Sequence, residues 1–199
     1  AGFAGGDGLF TPGGSMSNMA AMIIARNERI HGSRELGMPG TRVGVYLSEE
    51  SHYSIRKNAG LIGLGRDSVR FIGADERGRM IPGRLESAIE RDRAEGVRPL
   101  MIVATSGTTV MGAFDPLPEI ADVARRQDLW LHVDGAFGGT ALLSPNQRHR
   151  MEGLDRADSF TWDAHKMMGV PLVSSVCLTR DPGLTTKHFD ESASYLFQQ

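Results

Sequence analysis

The chain has 199 residues, 40% of them apolar and 23% charged, with a formal net charge of −2. That balance suits a folded domain with a sizeable core. It gives no basis for a nucleic-acid partner or an anionic membrane surface. No apolar run approaches the roughly 18 residues that would span a bilayer, and no signal peptide is recognisable. The densest basic patch, Arg148-His149-Arg150, reads as a solvated turn. The single cysteine, Cys177, excludes an intrachain disulfide and reads as a buried strand residue, so a cytoplasmic location follows by default.

The pattern alternates short β-branched runs with amphipathic stretches, which predicts an α/β fold with a largely parallel sheet. Residues 15–30 read as a helix after the turn Pro12-Gly13-Gly14. Residues 43–47 read as a strand, 55–64 as a helix and 69–72 as a strand. Residues 82–95 form a charged helix with Pro82 in its first turn. Then come a buried strand at 99–105, a helix at 117–127 and a strand at 129–133. Short strands at 160–162 and 173–179 complete the pattern. The chain starts without Met and stops on Tyr195-Leu196-Phe197-Gln198-Gln199, so it reads as part of a longer protein.

The polar residues that need explaining follow strands: Ser48 and His52, Thr105 to Thr109, Asp134, and Asp163 to Lys166. Ligands of open α/β sheets bind beyond the carboxyl ends of strands, so several segments aim their chemistry at one edge. The turn Thr11-Pro12-Gly13-Gly14-Ser15-Met16-Ser17-Asn18 admits two readings, a plain helix cap or an anion site. It is neither a Walker A loop nor a dinucleotide fingerprint. Asp134 ends an apolar strand among small residues, and either caps the next loop or bonds a cationic ligand atom. Lys166 has apolar neighbours, Trp162, Met167, Met168 and Val170, which would lower its pKa and make it a nucleophilic amine. The six histidines lack zinc-like spacing, so no metal site is expected.

Seven segments in this order resemble the group II pyridoxal 5'-phosphate-dependent amino-acid decarboxylases, most of all the glutamate and cysteine-sulfinate decarboxylases. They are Phe10-Thr11-Pro12-Gly13-Gly14, Ser51-His52-Tyr53-Ser54, Ala104-Thr105-Ser106-Gly107-Thr108-Thr109, Gly112-Ala113-Phe114-Asp115, Trp130-Leu131-His132-Val133-Asp134, Asp163-Ala164-His165-Lys166 and Ala193-Ser194-Tyr195-Leu196-Phe197-Gln198. The resemblance implies the large domain of a fold-type-I (aspartate aminotransferase-like) enzyme over residues 1–199. That domain is a mostly parallel seven-stranded sheet flanked by helices. The family's N-terminal segment and C-terminal small domain would lie outside the chain.

The resemblance also assigns roles. Lys166 would hold pyridoxal 5'-phosphate as a Schiff base, and Asp134 would bond the pyridine nitrogen. His52 would stack on one face of the ring, with Ala136 against the other, and Thr105 would line its edge. Met16 and Ser17 would offer backbone N–H groups to the phosphate, and Ser17 its hydroxyl as well. Asp163 and His165 would complete the phosphate side. A carboxylate repels a phosphate dianion, so Asp163 is read as acting through its backbone or a water. Gly135 and Phe137 stand where an Ala and a larger aromatic are usual, and Asp163-Ala164 stands where Asn-Pro is common. The implied activity is decarboxylation of an acidic L-amino acid in a homodimer with its site at the interface. Aldehyde-forming oxidative decarboxylation, transamination and an inactive packing remnant are the alternatives.

Overall fold

The structure, a computed structural model, describes residues 1–38 and 40–191. Its elements run β1 (Asp7–Thr11), α1 (Gly14–Arg29), α2 (Ser33–Leu36), β2 (Val43–Ser48), α3 (Ser54–Leu61), β3 (Val69–Ile72), α4 (Pro82–Ala94), β4 (Arg98–Thr105), α5 (Leu117–Gln127), β5 (Trp130–Asp134), β6 (Ser159–Asp163), β7 (Ser175–Thr179) and α6 (Leu184–Phe189), with short 3₁₀ turns between. The strands form one seven-stranded sheet in the order β1-β7-β6-β5-β4-β2-β3. From β3 through β2, β4 and β5 to β6 the pairs are parallel. β7 is antiparallel to both β6 and β1.

Strand alternation divides the core between the two faces of the sheet. Ile102, Ala104, Leu131 and Val133 pack with Leu85 and Ile89 of α4 and with Ile120 and Val123 of α5. Their alternates Met101, Val103 and Trp130 pack with Met22 and Ile24 of α1 and with Ile55 of α3. Parallel strands covered on both sides read as continuous apolar runs, which is why the central strands are visible in the sequence.

The same alternation puts polar residues under α1. With a period of two, Trp130, His132 and Asp134 of β5 share the α1 side with Ser159, Thr161 and Asp163 of β6. The register pairs His132 with Ser159 and Asp134 with Thr161. Between β4 and β5, Thr105 pairs with Asp134.

Three expectations change in detail. β1 lies where no element was predicted, and pairing with β7 makes it a strand. The last strand starts at Ser175 rather than 173, and Leu172 and Val173 are exposed. The helix expected over 55–64 is α3, which stops at Leu61 just before Gly63 at φ 81°. Cys177 is buried, and burial pushes its thiol up to about 12. Among the described residues no helix is long and apolar enough to cross a membrane.

The loops after β4 and β5 are locked together at Gly138, whose N–H donates to Ser106 O at 2.9 Å. A Cβ on Gly138 would lie 2.4 Å from that oxygen. Gly83, in contrast, sits in α4, where an added Cβ would meet nothing within 4 Å. Gly138→Ala should therefore lower the unfolding free energy by about 1–3 kcal/mol through overpacking. Gly83→Ala should raise it by about 0.5–1 kcal/mol through helix propensity. Guanidinium denaturation of the two variants reads both, and equal midpoints would contradict the packing argument.

Candidate active site

The carboxyl ends of β4, β5 and β6, the loop after β2 and the start of α1 enclose a cavity of about 300 Å³. Gly13, His52, Thr105, Asp134, Asp163 and Lys166 all line it. Two larger hollows, about 840 and 670 Å³, lie beside Ala1 and Gly2, and neither includes Lys166 or Asp134.

Asp134 is buried at the end of β5. Its Oδ2 accepts from Asn18 Nδ2 at 2.8 Å, and its Oδ1 from the Ala136 N–H at 3.1 Å. Both donors are neutral, and a carboxylate offers about four acceptor positions, so capacity remains for a donor in the cavity. Asn18 Oδ1 is 3.0 Å from His132 Nε2, and His132 Nδ1 is 2.8 Å from Ser159 Oγ. Asn18 and His132 were not among the residues expected to serve the site. Their signal was present in the polar residues at alternate positions of β5, beneath a helix with a polar residue in its second turn.

Asp163 is fully buried at the end of β6. Its Oδ2 accepts from the Gly14 N–H at 3.2 Å, and Lys166 Nζ lies 3.4 Å away. His165 Nε2 is 3.7 Å from the same oxygen, while its Nδ1 meets Ser174 across the following loop. The carboxylate thus sits at the positive end of α1. Among the described residues, Oδ1 is buried without a hydrogen-bond partner. Lys166 keeps a side-chain exposure of 39%, so its amine is reachable from the cavity.

His52 is half-buried, and its Nδ1 is 2.8 Å from Ser54 Oγ. Burial lowers its pKa and Lys166 lowers it further, against the opposing pull of Asp134. Thr105 is held by its N–H to Asp115 and by a 3.0 Å contact to Ser51 Oγ. Ala136 lines the wall beside Asp134. The N–H groups of Met16 and Ser17 both reach Gly13 O, at 2.9 and 3.1 Å, closing the first turn of α1. Ser17 Oγ is 2.6 Å from Thr11 Oγ1. At this corner the cavity wall is Pro12, Gly13, Gly14 and Ser15 instead.

Residues 1–199 match the description "Pyridoxal-dependent decarboxylase conserved domain". The chain belongs to this family. It is 50% identical over 200 residues to human cysteine sulfinic acid decarboxylase, covering 100% of this chain and 41% of that protein. A crystal structure of mouse CSAD in apo form superposes with a TM-score of 0.93 at 48% identity, over 98% of this chain and 41% of that one. A structure of Oryza sativa TDC with PLP and tryptamine gives a TM-score of 0.91 at 30% identity, over 100% of this chain and 41% of that one. The chain therefore spans about two fifths of the length of these relatives.

The family's pyridoxal group fits the residues present. Gly13, at φ 131°, has nothing within 4 Å of a Cβ position, so its backbone stands open at the cavity. At Gly14 a Cβ would lie 2.6 Å from Asp163 Oδ2, so only glycine keeps the helix start this close to β6. A cationic ring atom suits Asp134, a carbonyl suits the Lys166 amine, and an anionic tail suits the start of α1. The departure at Gly135 has a steric cause, since a Cβ there would meet Phe160 at 2.3 Å. The family segment at 193–198 lies outside the described residues.

Burial drives the pKa of His132 from 6.5 down to about 4. Between those values the unfolded chain binds a proton that the folded chain does not, so stability falls as pH drops from 6.5 toward 4. The loss attributable to His132 should reach about 3 kcal/mol at about 1.36 kcal/mol per unit. Denaturation midpoints from about pH 7 to 4 should fall less steeply in His132→Gln. Parallel profiles would contradict a neutral buried imidazole.

Proposed function

We propose that the protein decarboxylates an acidic L-amino acid, with pyridoxal 5'-phosphate held on Lys166. The observation that carries this reading is the meeting of a lysine amine, a buried carboxylate and an open glycine turn in one cavity. When bound, the pyridoxal group supplies an electron sink for the bond broken at the substrate Cα. Each residue then has a task. Lys166 supplies the amine that holds the cofactor. Asp134 accepts a hydrogen bond from the ring nitrogen and favours its protonated form. His52, neutral at physiological pH because of its burial, lies against the ring without adding a positive charge. Ala136 packs on the ring's other side and Thr105 on its edge. Gly13, Gly14 and Ser15, at the start of α1, face the anionic tail. His165 and Asp163 complete that corner, with Met16 and Ser17 closing the first turn of α1 behind it.

The acidic substrate class rests on the 50% identity to a cysteine sulfinic acid decarboxylase, against 30% to the rice protein crystallised with tryptamine. We also read the protein as a cytoplasmic homodimer. What supports the homodimer reading is large side chains left exposed among the described residues, Tyr53 in the cavity wall and Phe10, Val110 and Leu172 elsewhere.

Borohydride reduction of the full-length protein with pyridoxal phosphate should attach the cofactor at Lys166, and Lys166→Ala should take up none. An adduct on another lysine would overturn the assignment. A screen of acidic and aromatic amino acids should release CO2 and amine from an acidic one. Aldehyde with ammonia, or a keto acid, would point to the other reactions of this fold. Asp134→Ala should lower kcat by about 10- to 150-fold, the value of a charge-assisted hydrogen bond acting in the transition state.

A further inference from the structure

Beneath α1 lies a buried chain of hydrogen bonds whose direction is set at its carboxylate end. Trp130 Nε1–H can only donate, and it meets Ser159 Oγ at 2.8 Å. Ser159 Oγ is 2.8 Å from His132 Nδ1, and its second acceptor position lets it give or take that hydrogen. His132 Nε2 is 3.0 Å from Asn18 Oδ1. Thr161 Oγ1, at 3.4 Å from the same nitrogen, is a weaker second partner. Asn18 Nδ2 is 2.8 Å from Asp134 Oδ2 and 3.5 Å from Ser54 Oγ. Ser54 Oγ–H in turn meets His52 Nδ1 at 2.8 Å.

The Asp134 end removes that freedom. A carboxylate only accepts, so Asp134 demands an N–H from Asn18. A flipped amide would set its oxygen against the carboxylate. Asn18 Oδ1 therefore faces His132, whose proton must sit on Nε2, and Ser159 then donates to Nδ1. Trp130, Ser159, His132, Asn18, Asp134 and Ser54 are all buried, so water cannot relieve such a mismatch.

We propose that Asn18 is a positioning residue: its amide, held in one orientation by the Asp134 carboxylate, sets that carboxylate for the cofactor ring and fixes the His132 proton on Nε2. This rests on the pyridoxal reading of the cavity. The Ser54 N–H, 3.3 Å from His52 Nδ1, makes that nitrogen an acceptor and places the His52 proton on Nε2. Asp134 is thus given a donor of fixed position that carries no charge, and its negative charge stays available for the ring.

The first test needs no cofactor. In ¹⁵N-histidine NMR of the full-length protein at about pH 7, His132 should show a protonated Nε2 and an unprotonated Nδ1. The opposite tautomer, or an imidazolium, overturns the proposal. The second test loads the full-length protein with pyridoxal phosphate. Asn18→Ala should weaken cofactor binding about 10-fold or more while the Lys166-dependent absorbance still forms at saturation. It should also release His132 into a mixture of tautomers. Wild-type affinity with an unchanged His132 signal in Asn18→Ala would overturn the positioning role. If the wild-type protein takes up no cofactor at Lys166, the pyridoxal reading and the cofactor part of this proposal fall together. The wild-type tautomer separately decides the Asn18 orientation.

Discussion

The structure around the cavity depends on how one buried carboxylate, Asp134, is satisfied. A charge at the end of a central parallel strand is costly to bury without partners. Here the partners are an amide from α1 and a backbone N–H from the residues just beyond the strand. Neither carries charge, so the carboxylate is solvated by fixed dipoles and not neutralised. That requirement sets where α1 crosses the sheet. Asn18 must stand over the end of β5, which in turn places Gly13 and Gly14 against β6.

Alternation along β5 and β6 makes this possible. On one side of the sheet Leu131, Val133 and Phe160 join the core under α4 and α5. On the other, His132, Asp134, Ser159, Thr161 and Asp163 form a polar band beneath α1. Such a band is tolerable only when its members bond one another, and the contacts from Trp130 through Ser159 and His132 to Asn18 provide this. The site is a continuation of the sheet's own pleat, carried from the strand interior to its carboxyl edge. Its geometry is consequently set by backbone register more than by loop conformation.

How much of this was legible in the sequence follows from the range of the interactions. The central strands are covered on both faces and so appear as apolar runs. Lys166, Asp134 and His52 stand at or just past strand ends, where a polar residue after an apolar run attracts notice. β1 escaped notice because its identity lies in its pairing with β7, far along the chain. Asn18 and His132 escaped for a related reason. Each is an unremarkable polar residue within its own element, and only the crossing of α1 over β5 brings their atoms to 3.0 Å. The donors expected of Met16 and Ser17 were assigned from their place in a motif, whereas the first turn of α1 directs those N–H groups to Gly13 O.

The two buried carboxylates of the cavity differ in a way that divides it chemically. Asp134 has neutral donors and unused acceptor capacity, so it favours a cationic or N–H-bearing atom in the cavity. Asp163 already has a backbone N–H at the start of α1 and an ammonium 3.4 Å away. In this arrangement Asp163 partly offsets the positive end of α1, at the corner where an anion would otherwise bind most readily. An anionic group entering there meets Asp163 as a like charge and the helix start as an attraction. The attraction dominates only if the anion reaches the open backbone at Gly13. The absence of a side chain at Gly13 permits that approach, and the lack of space for one at Gly14 keeps Asp163 fixed. The glycine pair therefore combines open backbone with a close helix–strand contact within a single turn of chain.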